Sequence, residues 1–260
     1  MAGGGEPVRA EVDTPRGTAR IILARPPLNI LDIATLRLLG GKLVEIVRSS
    51  GCPLVVIESG VDGIFSAGAD VADHVPERVP AMLRVFHDAA RFMRRMPAVS
   101  IAVVDGPALG GGFELALCCD FIVAGDGAIF GFPEMGVGCF PPIAAAVLPG
   151  RIGPGRAADL ILTGRRIGAA EAREWGIASR CAGPGGCEEE LGRLLEELRA
   201  KSPSVLKLAA GLLREEAGLG FEASLARRER AYLEDLMKLE DSREGVRAFL
   251  ERRPPVWTGD

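Results

Sequence analysis

A layered α/β fold with parallel strands, followed by an almost wholly helical C-terminal part, is what this sequence predicts. Three observations carry that expectation. Short apolar runs alternate with amphipathic stretches as far as Ala124, which is the grammar of strand–helix–strand units. Helical periodicity takes over after Pro141. The 260 residues are 48% hydrophobic and 25% charged, enough to bury a large core.

The elements follow in order. Pro15-Arg16-Gly17 marks a turn between Ala10-Glu11-Val12 and Thr18 to Leu23, which predicts a β-hairpin. From Ile33 to Val47 the apolar residues Ile33, Leu36, Leu39, Leu43, Ile46 and Val47 recur at helical steps, with Asp32 placed as N-cap. Gly51-Cys52-Pro53 ends that helix, and Leu54-Val55-Val56-Ile57 reads as a strand buried on both faces. The pattern then repeats: a helix from Val79 to Met96, a break at Pro97, a strand from Ser100 to Val104, a helix opening near Gly111, and a strand over Phe121 to Ala124. Helical segments follow near Pro142 to Leu148, Arg156 to Leu162, Ala169 to Trp175, Glu188 to Ala200, Pro203 to Ala217 and Phe221 to Glu240. Leu233, Leu236, Met237 and Leu239 give the last of these a surplus of apolar surface, which fits either subunit contacts or packing within the chain. The expected division is a core over residues 1–195 and a helical region over residues 196–260.

Composition excludes several function classes. A formal net charge of −4 provides no positive excess for nucleic acid or an anionic membrane. No apolar run is long enough to span a bilayer, and Met1 to Ala10 lacks the apolar stretch of a secretory signal, so a cytoplasmic location is expected. The six cysteines include no C-x-x-C pair and read as reduced thiols. With only His74 and His87 for histidines, no metal site is expected.

Two glycine-rich segments stand where α/β sheets bind ligands: Ser66-Ala67-Gly68-Ala69-Asp70, and Gly106-Pro107-Ala108-Leu109-Gly110-Gly111-Gly112-Phe113-Glu114. Glycine lets a ligand approach the main chain, and a helix starting at Gly111 presents free N–H groups to developing negative charge. Either cluster alone also fits a tight turn. Neither Gly106 to Gly112 nor Gly153-Pro154-Gly155 keeps the spacing of a dinucleotide site. Glu114 opens a strongly apolar helix, and Glu134 lies in Phe130-Gly131-Phe132-Pro133-Glu134-Met135-Gly136, again away from a charged face. Burial would raise either carboxyl and suit it to proton transfer, although each taken alone also fits a structural acid near a helix start. The pair beside an oxyanion hole is the informative unit.

These segments, with Leu162-Thr163-Gly164-Arg165-Arg166-Ile167 and Glu171-Ala172, resemble the successive signatures of the enoyl-coenzyme A (CoA) hydratase/isomerase, or crotonase, superfamily from about Thr18 to Cys181. The resemblance implies a crotonase-like α/β spiral of β-β-α units with C-terminal helices that serve oligomerisation, homotrimers that pair into hexamers, and an acyl-CoA substrate with no separate cofactor. It implies an oxyanion hole from the N–H groups of Ala67 and Gly111. Glu114 would activate water and Glu134 would exchange a proton with the acyl chain, with Gly68, Ala69, Asp70, Phe140 and Pro141 contacting substrate. Family isomerases typically lack the Glu114 equivalent, so its presence favours water addition.

The stretch Gly138-Cys139-Phe140-Pro141-Pro142-Ile143-Ala144-Ala145 departs from the glycine-rich stretch usual in family hydratases. Pro142 suits the first position of a helix, and Phe140 offers a flat apolar wall for a planar ring or a core contact. With Pro26-Pro27-Leu28-Asn29-Ile30-Leu31-Asp32, this stretch is similar to the subgroup that hydrates cyclohexa-1,5-diene-1-carbonyl-CoA to 6-hydroxycyclohex-1-ene-1-carbonyl-CoA in aromatic degradation. A straight-chain 2-enoyl-CoA hydratase, an enoyl-CoA isomerase, a thioester hydrolase and a noncatalytic acyl-CoA binding protein are the alternatives.

Overall fold

The computed structural model describes residues 5–75, 77–214 and 251–260, together with 234, 235, 238–241, 244 and 248. Strands β1 (Val8–Asp13) and β2 (Thr18–Leu23) pair antiparallel, Val8 against Leu23 and Asp13 against Thr18. The expected turn is a single 3-10 turn over Thr14–Arg16, closed by Gly17 at φ 61°. A short β3 (Ile30–Leu31) leads into α1 (Ile33–Ser49), where the Asp32 carboxylate accepts the Thr35 N–H at 2.7 Å as an N-cap. Strand β4 (Leu54–Ser59) then runs parallel to β2, completing a β-α-β unit.

Next come β5 (Gly68–Ala69), which pairs with β3, and α2 (Val79–Arg95), which packs against α1. Strand β6 (Val99–Val104) is parallel to β4 and wholly buried. It is followed by β7 (Pro107–Leu109), α3 (Gly111–Leu117), β8 (Phe121–Ala124) and β9 (Ile129–Gly131). The rest comprises α4 (Pro142–Ile152), α5 (Pro154–Thr163), β10 (Arg166–Gly168), α6 (Ala169–Glu174), β11 (Arg180–Cys181), α7 (Cys187–Arg199) and α8 (Pro203–Arg214). The main sheet has the order β1-β2-β4-β6-β8-β11, and a smaller one has the order β10-β9-β7.

Alternation along β4 divides the core, because successive side chains in a strand point to opposite faces. Val55 and Ile57 join Leu36, Leu39 and Leu43 of α1, whereas Leu54 and Val56 join Leu191, Leu194 and Leu198 of α7. The part after Pro141, expected to be almost wholly helical, also contains β10 and β11, strands of three and two residues that are too short to show a period. All six cysteines are unpaired. Most of the segment expected as a helix from Phe221 to Glu240, including Leu233, Leu236 and Met237, lies outside the described residues. Among the described residues, no helix is long and apolar enough to cross a membrane.

Candidate active site

Helix α3 begins immediately after Gly110, whose φ of 50° and ψ of −126° form a sharp corner leading out of β7. That corner turns Glu114 inward, where it is 3% exposed. Its Oε1 accepts the N–H groups of Ile143 at 2.7 Å and Ala144 at 2.9 Å, both in the first turn of α4. Pro142 occupies the first position of that turn and has no N–H, so these two donors are the ones it leaves to be satisfied. Burial pushes the Glu114 carboxyl up to about 7, opposed by the two N–H groups and reinforced by the charge of Glu134.

Glu134 sits in a 3-10 turn, Pro133–Val137, directly after β9 and Phe132. Burial raises this carboxyl as well, while His74 pulls it in the opposite direction. Its Oε2 is buried without a hydrogen-bond partner. A side chain on residue 110 would enter the space of the Glu134 carboxylate, so glycine there serves both the corner and the acid.

The two acids meet in one cavity of about 250 Å³, which is also lined by Ala69, Gly111, Phe140, Pro141 and Pro142. Gly111 and Ala69 stand together: a Cβ added to Gly111 would lie 3.1 Å from the Ala69 nitrogen. The Asp70 N–H donates to the Leu31 carbonyl of β3 at 3.4 Å, so alternation along the extended chain directs the Ala69 N–H to the other edge, toward Gly111. Gly68, at φ 101°, permits this approach, since a Cβ there would lie 2.7 Å from the Leu109 carbonyl oxygen. The segment is anchored from below, where Ser66 Oγ accepts the Gly68 N–H at 3.1 Å and donates to the Asn29 carbonyl at 2.7 Å.

This geometry corrects the assignment of Ala67 to the oxyanion hole. Its N–H donates to the Leu28 carbonyl at 2.9 Å, and the residue does not line the cavity; Ala69 takes its place beside Gly111. Gly68 and Asp70, expected to contact substrate, do not line the cavity. Gly68 supports from behind, and the Asp70 carboxylate caps the turn at Val71–His74 by accepting the Ala72 N–H at 2.9 Å. Phe140 and Pro141 do line the cavity, and Phe140 remains 63% exposed at its mouth rather than joining the core.

Sequence reasoning missed both histidines and the whole wall formed by α2. His74, His87, Val79, Met82, Leu83 and Phe86 all line the cavity. The signal was present in the spacing, because Val79, Leu83, Phe86 and His87 fall on one helical face. Among the described residues, no group of three or more His, Cys, Asp or Glu side chains could hold a metal ion.

Comparison with known proteins accords with this geometry. The family profile for enoyl-CoA hydratase/isomerase matches residues 13–260. Cyclohexa-1,5-dienecarbonyl-CoA hydratase of Thauera aromatica is 32% identical over 260 residues, covering 99% of both chains. Carnitinyl-CoA dehydratase of Escherichia coli O157:H7 is 30% identical over 253 residues, covering 92% of this chain and 94% of the relative. Among solved structures, enoyl-CoA hydratase from Bacillus anthracis superposes with a TM-score of 0.91 at 30% identity, covering 98% of this chain and 100% of the other. The chain has the crotonase fold and belongs to the enoyl-CoA hydratase/isomerase family.

Proposed function

We propose that this protein is a hydro-lyase that adds water to a conjugated cyclic dienoyl-CoA thioester, converting cyclohexa-1,5-diene-1-carbonyl-CoA to 6-hydroxycyclohex-1-ene-1-carbonyl-CoA. One observation carries the reading: the buried carboxyl of Glu114, the half-buried one of Glu134 and a pair of neighbouring main-chain N–H groups border a single cavity. The thioester oxygen accepts hydrogen bonds from the Ala69 and Gly111 N–H groups. Glu114 takes a proton from water as the oxygen bonds to the carbon β to the carbonyl, and electrons move through the conjugated system onto the thioester oxygen. As they return, Glu134 gives its proton to the far end of the second double bond, leaving one ring double bond. Donors aimed at the developing oxyanion stabilise it without reorganisation, and each proton transfer runs through a carboxyl raised by burial.

The cyclic substrate is supported by Phe140, Pro141 and Pro142, which form a stiff apolar wall where a flat ring can lie. The full-length match to the Thauera aromatica hydratase supports it too. CoA is part of the substrate, so no separate cofactor enters. We further infer assembly into a homotrimer or hexamer, in which exposed Val137 and Leu162 would be available for contacts between subunits, and a cytoplasmic location.

The test is an assay of cyclic dienoyl-CoA beside crotonyl-CoA, with a thiol reagent present. Faster hydration of the cyclic thioester without release of free CoA is expected. Faster hydration of crotonyl-CoA would make this a straight-chain enzyme, release of thiol would make it a hydrolase, and tight binding without turnover would make it a carrier.

A further inference from the structure

A second cavity, of about 480 Å³, opens at the far end of the two helices that serve Glu114. Helix α3 carries this acid in its first turn and ends at Leu117, and α4 holds the carboxylate at Ile143 and Ala144 and runs on through Val147 and Arg151. Leu117, Val147 and Arg151 line the second cavity, which shares no lining residue with the first. Its volume falls within the ~300–1,000 Å³ usual for small-molecule sites.

The lining is divided in character. Leu206, Ala210 and Leu213 set an apolar stripe of α8 along one side, and Leu213 is 81% exposed. The charged side chains that line it are Arg94, Arg151, Arg214 and Asp120. Asp120 is fully engaged, since Oδ1 accepts from Arg214 Nε at 2.7 Å while Oδ2 accepts the Ser100 N–H at 2.7 Å and a further bond from Arg214 Nη2. Arg94 donates from Nη2 to the Arg214 carbonyl at 2.7 Å, and Arg151 donates from Nε and Nη2 to the carbonyls of Gly176 at 3.3 Å and Ile177 at 2.9 Å. Among the described residues, neither of these two arginines meets a carboxylate. The Nε and Nη1 of Arg94 and the Nη1 of Arg151 have no protein partner there and are not buried, so their N–H groups stay free to donate.

Two positive charges on the lining are thus unbalanced, in a chain whose formal net charge is −4. Burial pulls the Arg151 pKa below the usual arginine value, and the charge of Arg94 acts in the same direction. An anion beside the pair relieves both effects.

We propose that this cavity binds a monocarboxylate with an apolar body, either chain or ring, whose carboxylate meets Arg94 and Arg151 while the body lies along α8. Guanidinium donors match a carboxylate in geometry and charge. The apolar stripe selects such a ligand over inorganic phosphate. The inference does not depend on the hydratase reading.

Calorimetric Kd values for octanoate, cyclohexanecarboxylate, 1-octanol, acetate and inorganic phosphate on the full chain test it. Octanoate, cyclohexanecarboxylate or both should bind once per chain, about ten-fold or more tighter than 1-octanol, the worth of a charged hydrogen bond. Acetate and phosphate, which lack the apolar body, should bind more weakly still or not at all. Arg94→Gln and Arg151→Gln, each checked for native folding by circular dichroism, should each weaken the carboxylate about ten-fold or more. Saturating cyclohexanecarbonyl-CoA should not displace it. Equal or tighter binding of 1-octanol, acetate or phosphate, wild-type affinity in either arginine variant, or displacement by the thioester would overturn the proposal. Absence of carboxylate binding would overturn it too, and a change of oligomeric state in the arginine variants would then make the cavity an interface between copies of the chain.

Discussion

The ring of Phe113 stacks on that of Phe132 with centroids 4.8 Å apart and planes 17° from parallel. Phe130 joins them at 5.0 Å from Phe113, and all three rings are fully buried. Phe113 immediately precedes Glu114, and Phe132 leads through Pro133 to Glu134. The stack therefore ties the segments that carry the two acids, which arrive from separate elements.

Replacing Phe132 with alanine removes this tie. It should cost ~3–5 kcal/mol of stability, the usual range for an aromatic ring lost from a core. The surviving folded protein should lose kcat more than it raises KM, since the acids move relative to bound substrate. Denaturant titration with steady-state kinetics checks both.

Gly111 is the first residue of α3, a position where proline is tolerated because its N–H is not needed by the helix. Any Cβ at Gly111 crowds Phe86 at 3.0 Å and the Ala69 nitrogen at 3.1 Å. Gly111→Ala thus measures the crowding, and Gly111→Pro adds the loss of the N–H. The proline variant should fall below the alanine variant by a further ~10²–10³ in kcat, the worth of one oxyanion donor.

Hydration requires one carboxylate to accept a proton and one carboxyl to donate it, so the active pair holds a single proton. Both groups are raised above 4.5, Glu114 to about 7. The profile of kcat/KM against pH should be bell-shaped, falling on the alkaline side at about 7 as the pair loses its last proton and on the acid side as both become protonated. A rate that keeps rising through pH 9 would remove the acid from the mechanism.

The same shift has a stability consequence of definite sign. The Glu114 carboxyl titrates at 4.5 when unfolded and at about 7 when folded. Between these values the unfolded chain releases its proton first, so the contribution of this group to stability is full below pH 4.5 and declines toward pH 7, by ~3 kcal/mol. Thermal melts across that window should show a shallower decline in Glu114→Gln than in the wild type.

Much of this was legible from the residues. Thr18 to Leu23 and Phe121 to Ala124 begin and end as strands where the apolar runs do, and the Ile33 to Val47 period placed α1 with its Asp32 cap. The acid pair was visible as two glutamates in apolar surroundings. The direction of individual N–H groups was not, because Ala67 and Ala69 flank Gly68, and its φ of 101° decides which N–H faces the cavity. The role of Gly110 also depends on a contact with Glu134 that no local pattern encodes. His87 carries no signal as one of only two histidines, too few for a metal site, although the stripe of α2 places it beside Phe86 on the face that borders the cavity.

The most direct test of the two-carboxyl account is the hydration rate of Glu114→Gln and Glu134→Gln, each checked for native folding by circular dichroism. Each is expected to lose ~10²–10⁴ in kcat on the cyclic dienoyl thioester, the usual contribution of a positioned acid or base, while still binding it. Turnover near the wild-type rate in either variant would contradict the account.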